Sequence, residues 1–196
     1  MRFDHTYIST DGATPTLTTS TVKNYLRVTH STDDTLIAEL IKAAILHIEH
    51  ATGLSIFART YKTVMAYFPS ERYIRLNKFP VTAVSSIVYN DQAGDQQTFS
   101  SSNYQTDLNL RPGLIRLTKT ANWPTTDETI GNVIITFTTG YASESAIPLS
   151  LRQAILLLVS FYYDNRMPVI TSGAKPQPLP FSVDALLDEF RIRDFK

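Results

Sequence analysis

The hydrophobic period of this chain changes twice, and that double change restricts the fold more than any single residue does. Up to Gly53 the apolar residues recur at helical spacing: Leu36, Ile37, Leu40, Ile41, Ala44, Ile45 and Ile48 mark one face of a long helix. From residue 58 the period is two, with β-rich runs at Thr60–Phe68, Tyr73–Leu76, Val84–Tyr89, Leu114–Thr118 and Val133–Thr139. Pro69, Pro80, Pro112 and Pro124 fall between these runs, where no ladder needs their missing N–H. The helical period returns at Pro148, a residue suited to a first helical turn. This order predicts an α+β fold. A small helical bundle, with helices near 21–28, 33–52 and 148–166, is interrupted by a mostly antiparallel β subdomain of five or six strands over about 58–140.

The helix signals are specific. Ser31, Thr32 and Asp33 offer cap oxygens before the long helix, and Gly53 tolerates the left-handed conformation that stops it. Leu46 falls opposite the centre of the apolar stripe, among Glu39, Lys42 and Glu49. It reads either as a lone exposed leucine or as part of a contact face for a neighbouring subunit. The helix from Pro148 to Arg166 is apolar around nearly its whole circumference, so its partners must cover it on several sides.

At the ends the composition shifts. Residues 9–21 are rich in Ser and Thr, and residues 1–20 read as an N-terminal arm. Residues 167–180 hold four of the ten prolines and read as a semi-rigid linker. Beyond it Ser182 opens an amphipathic helix within 181–196, with Val183, Leu186, Leu187 and Phe190 on one side and Phe181 and Phe195 flanking. That helix either docks on a partner or folds back on its own core. The domain plan is therefore an arm (1–20), a helical core (21–57 and 141–166), a β insertion (58–140), a linker (167–180) and a terminal helix (181–196).

Composition narrows the function. Lys plus Arg equals Asp plus Glu at 18 each, and no segment departs from balance by more than two charges, which disfavours a polybasic nucleic-acid groove. Cysteine is absent, which removes disulfides and thiolate chemistry. The longest apolar run, Ala154 to Tyr163, is about half of the roughly 20 residues a membrane span needs. Met1 to His5 opens no signal-peptide pattern, so neither export nor membrane insertion is expected.

No catalytic constellation emerges. His47 and His50, at i and i+3, lack the spacing and third ligand of a zinc site. Ser20-Thr21-Val22-Lys23 matches Ser-x-x-Lys without its companion motifs, and the phosphate-binding glycine patterns do not occur. Asp33-Asp34 and Asp127-Glu128 sit in capping or turn contexts. Trp123, with the ten tyrosines, could instead stack on sugar rings as a carbohydrate-binding module, or carboxylates could serve a small hydrolase. Catalytic residues, cofactors and metals are all expected to be none.

The ordered set of segments carries a resemblance. Tyr25-Leu26-Arg27-Val28 precedes Asp33-Asp34 and the helix from Leu36 to Ala44, followed by Ile48-Glu49 and Thr52-Gly53. Ile74-Arg75-Leu76, Phe79 to Val84 and Val88 to Asp91 with Gly94 come next. Val133 to Phe137 runs into Gly140-Tyr141, Ile147-Pro148 leads into Arg152 to Leu156, and Tyr163-Asp164-Asn165-Arg166 closes the set. Over residues 22–166 the chain resembles the head–tail connector (adaptor) proteins of tailed bacteriophages and prophages, in the longer form with a β insertion. The resemblance implies a non-enzymatic virion protein, made in the host cytoplasm, that forms a dodecameric ring below the portal. It implies as partners the portal protein, a stopper or tail-completion protein and further copies of the chain. DNA would pass through without specific binding. On that reading Leu46, Lys42 and Glu39 are the expected subunit interface. Phe181, Val183, Leu186, Leu187, Phe190 and Phe195 are the expected portal-docking residues.

Overall fold

The computed structural model describes residues 5–11, 17–127, 130–165 and 181–191. The fold is α+β, with four α-helices and eight strands in two antiparallel sheets among the described residues. The chain divides into two compact units: one contains the N-terminal strand and Phe57–Gly140, the other the helices on either side of that insertion. Linker residues 167–180, Arg166, Glu128 and Phe195 lie outside the described residues.

In the β unit, the five-stranded sheet has the order β1 (His5–Asp11), β2 (Arg59–Met65), β8 (Val133–Thr139), β4 (Val81–Asn90), β5 (Gln96–Thr98). The three-stranded sheet runs β3 (Tyr73–Leu76), β7 (Gly113–Leu117), β6 (Tyr104–Asp107). Alternation explains the layers. Tyr61, Met65, Val133, Ile135 and Phe137 point inward from β2 and β8, and meet Ile74, Leu76, Ile115 and Leu117 in one apolar core. Phe68, Phe99, Tyr89 and Tyr104 extend that core as an aromatic cluster.

Sequence patterning predicted five or six strands here and an arm at the N-terminus. The structure corrects both. Residues 5–11 form β1, which pairs antiparallel with β2. β5 (Gln-Gln-Thr) is exposed throughout and β6 (Tyr-Gln-Thr-Asp) nearly so; strands with no apolar alternation leave no period-two signal.

In the helical unit, α1 (Thr19–Leu26) opens two residues earlier than its apolar spacing suggests, because Thr18 Oγ1 accepts from the Thr21 N–H at 3.2 Å. It stops before Val28 because Arg27 adopts the left-handed conformation (φ 58°) and turns its N–H back to Asn24. α2 (Asp34–Thr52) ends as expected at Gly53, φ 77°, whose N–H bonds Glu49 O at 2.9 Å. α3 (Leu149–Asp164) packs against α2, with Leu151, Ala154, Ile155, Leu158 and Val159 buried. Leu157, inside the apolar run Ala154 to Tyr163, is only half-buried. α4 (Phe181–Leu187) runs into a 3-10 turn over Asp188–Phe190 and packs on α3.

Gly140, at the end of the β unit, has φ 95°, and a Cβ there would lie 2.0 Å from the Phe57 carbonyl oxygen. No side chain fits. That backbone contact explains the glycine of the Gly-Tyr pair physically.

Candidate functional site

The Asp33-Asp34 pair, expected to cap α2, does something else. Asp33 makes no side-chain cap bond; its Oδ2 accepts from the Tyr163 hydroxyl at 2.5 Å, joining the start of α2 to the end of α3. Asp34 Oδ1 holds Lys23 Nζ at 2.6 Å, joining α2 to α1. Two neighbouring carboxylates thus tie three helices at one end of the unit. Near the other end of α3, Ser150 Oγ bonds Glu189 Oε1 at 2.5 Å, and Arg152 Nη1 lies 3.9 Å from Glu144 Oε1. These bonds set helix positions that apolar packing alone leaves free to slide. They also account for Ser20-x-x-Lys23, whose lysine is an ion-pair partner.

On α2, Leu46 is 52% exposed. Lys42 Nζ bonds Glu39 Oε1 at 2.9 Å on the same exposed face. The three residues expected to form a subunit interface therefore share one open stripe. Glu49, grouped with them by helical spacing, does not belong to it. It is buried, and its Oε1 accepts from the Ile56 N–H at 2.6 Å, fixing the turn that leaves the helix. A carboxylate that accepts backbone N–H bonds can sit inside at tolerable cost, which helical spacing cannot anticipate.

The structure places the described part of the expected portal-docking stripe against its own chain. Val183, Leu187 and Phe190 are buried and α4 lies on α3, so the stripe is covered by its own chain. Leu186 is half-buried. Phe181 begins α4, and Phe195 lies beyond the described residues. α4 has folded back because the broad apolar surface of α3 offers it a partner within the same chain.

The other chemical candidates resolve locally. Trp123 stacks on Phe68 with ring centroids 4.9 Å apart, and its indole N–H donates to Glu71 O at 2.8 Å. The ring is engaged by the core, which removes it as a free platform for a sugar. His47 is half-buried and His50 exposed on α2, and among the described residues no three His, Cys, Asp or Glu side chains gather as a metal site. Burial raises the hydroxyl pKa of Tyr104 and Tyr162. Asp91 is held below the ordinary carboxylate range, first by the Gln97 amide and then by backbone N–H groups of its own turn, which is structural work in the β4–β5 hairpin. No described helix is long and apolar enough to cross a membrane.

A model of the head completion protein family matches residues 16–177. No curated protein matches the chain. Among solved structures, the chain is similar to one in the neck of an empty gene transfer agent particle computed with C6 symmetry, at a TM-score of 0.77 and 25% identity over 95% of each chain. It is similar to a chain of the native gene transfer agent virion at a TM-score of 0.75 and 26% identity, covering 95% of this chain and 94% of that one. A third similarity is to the neck of the native particle computed with C12 symmetry, at a TM-score of 0.72 and 25% identity, again over 95% and 94%.

Proposed function

We propose, because this chain belongs to the head completion protein family, that it is a structural component of a phage-like virion neck. It assembles there as a ring, twelve copies around the DNA channel. The observation that carries this reading is the likeness, over 95% of both chains, to a protein of a symmetric neck. A C12 neck among the relatives supports the copy number.

The physical features agree. The formal net charge is zero, so the chain has no strong overall attraction for a polyanion moving past it. Its polar side chains tie helices and turns. In the helical unit its exposed large apolar residues, Tyr25, Leu46 and Leu149, lie on helices, where a neighbouring copy could cover them. The ring extends the channel below the portal and presents a surface to the stopper or tail-completion protein. Glu39, Lys42 and Leu46 form part of the contact between copies. Because α4 is occupied by α3, portal attachment through its apolar residues requires α4 to leave that site; otherwise the portal meets another surface.

The test is particle production without this chain. Heads should fill with DNA yet fail to join tails, and adding the purified chain should restore joining. Cryo-electron microscopy of restored necks should show twelve copies. Tailed particles formed at the normal level in its absence would refute the reading.

A further inference from the structure

The helical unit carries two open stripes, and we propose that they meet between neighbouring copies, α2 of one copy against α3 of the next. This rests on the ring assembly proposed above and assigns its faces.

Along α2 the exposed residues Thr35, Glu39, Lys42, Leu46 and His50 repeat at the spacing of a single helix face. Along α3, Leu149, Gln153 and Asp164 are exposed and Leu157 and Ser160 half-buried, again on one face. Each stripe lies opposite the buried face of its own helix. Since α2 and α3 pack on one another through those buried faces, the stripes look out of different sides of the unit. Leu149, 74% exposed, and Leu46, 52% exposed, are the most exposed large apolar side chains among the described residues of this unit. One belongs to each stripe.

Ring closure requires this separation. A ring of identical copies uses heterologous contacts, in which two different patches of each copy meet. In a twelve-membered ring neighbours differ by a rotation of about 30°, so the two patches must occupy nearly opposite flanks. A self-complementary α2 face, with Leu46 on Leu46, would stop at a dimer. The α3 stripe carries one charged residue, Asp164, which has no ion-pair partner among the described residues; on the α2 stripe Lys42 is bonded to Glu39, so Asp164 would join that pair across the contact.

The contact is also small. The 16 residues of α3 give a stripe about 24 Å long and about 10 Å wide. That is well under the roughly 800 Å² per partner of a stable interface. Two free copies therefore stay apart, and the contact forms where copies are held side by side on a particle.

The chain has no cysteine, so introduced pairs report this contact directly. Necks carrying the double variant Leu46→Cys, Leu149→Cys should, with a short thiol–thiol cross-linker, give a denaturing-gel ladder from dimer upward. Each single variant should give monomer alone. Dimers from Leu46→Cys by itself, or no ladder in necks whose ring is visible by electron microscopy, would overturn the assignment. Necks with no ring of this chain would instead overturn the ring reading. As a second measurement, Leu46→Asp and Leu149→Asp should each stay folded by circular dichroism yet drop at least tenfold in incorporation. Wild-type incorporation of either would also overturn the proposal.

Discussion

The two units hold themselves together differently. In the β unit, inward side chains from two sheets fill a continuous core, with Phe68 stacked on Trp123 at its edge and Phe99 tilted against both rings. Its strands pair in registers fixed by period-two burial, most clearly β2 with β8. In the helical unit, apolar faces supply adhesion, but the relative placement of the helices rests on Lys23–Asp34, Tyr163–Asp33 and Ser150–Glu189. A sheet carries its register in its backbone ladder. A helix bundle has no such ladder, so side-chain bonds between helices do that work. The same freedom leaves helix faces open for neighbours.

The largest expected effect tests whether α4 belongs to the helical core. Deleting 181–196 should lower stability by several kcal/mol, since burial of Val183, Leu187 and Phe190 contributes about 1.5–3 kcal/mol each. Thermal unfolding followed by circular dichroism measures it. An unchanged melting temperature would make α4 a detachable element.

Next come core truncations, one in each unit. Phe137→Ala in β8 should cost about 3–5 kcal/mol, and Ile41→Ala in α2 about 2–5 kcal/mol, by denaturant unfolding. Leu157→Ala, on the half-buried side of α3, should cost clearly less than Ile41→Ala. Equal losses at 41 and 157 would mean that the α3 stripe is covered even in the free chain.

A smaller effect concerns the polar ties. Tyr163→Phe removes the hydroxyl that donates to Asp33 and should cost about 1.5–3 kcal/mol, the range for a hydrogen bond to a charged group. The matching change in the β unit, Thr6→Val opposite Thr63, should cost less, because the backbone ladder of β1 and β2 persists. A reversed order would erase the contrast drawn between the units.

The smallest effect is a pH dependence. The folded pKa of Asp91 is lowered, so its contribution to the β4–β5 hairpin is present above the ordinary carboxylate pKa and is lost as pH falls through the folded value. Amide hydrogen exchange of Ala93 and Asp95, whose N–H groups bond Asp91 Oδ1, should quicken in acid relative to Asp91-independent strands. Equal responses throughout the sheet would remove Asp91 from that role.

By itself the sequence determined the fold class, the order of the long helices and of the five apolar-patterned strands, the end of α2 at Gly53 and the outward position of Leu46. Each follows from local chemistry: periodicity, a glycine's access to positive φ, and a leucine displaced from its apolar stripe. The ordered motifs also pointed to the family, without explaining themselves. Tertiary structure alone decided the rest. Tyr163 and Asp33 stand 130 residues apart in the chain, and nothing local marks them as partners. Glu49 reads as solvent-facing until Ile56 turns its N–H toward it. β1, β5 and β6 exist because a neighbouring strand offers them a ladder, their own side chains carrying little apolar pattern. For α4, an amphipathic stripe fixes only that it must be covered. What covers it depends on which apolar surface the folded chain brings within reach, and here that surface is α3.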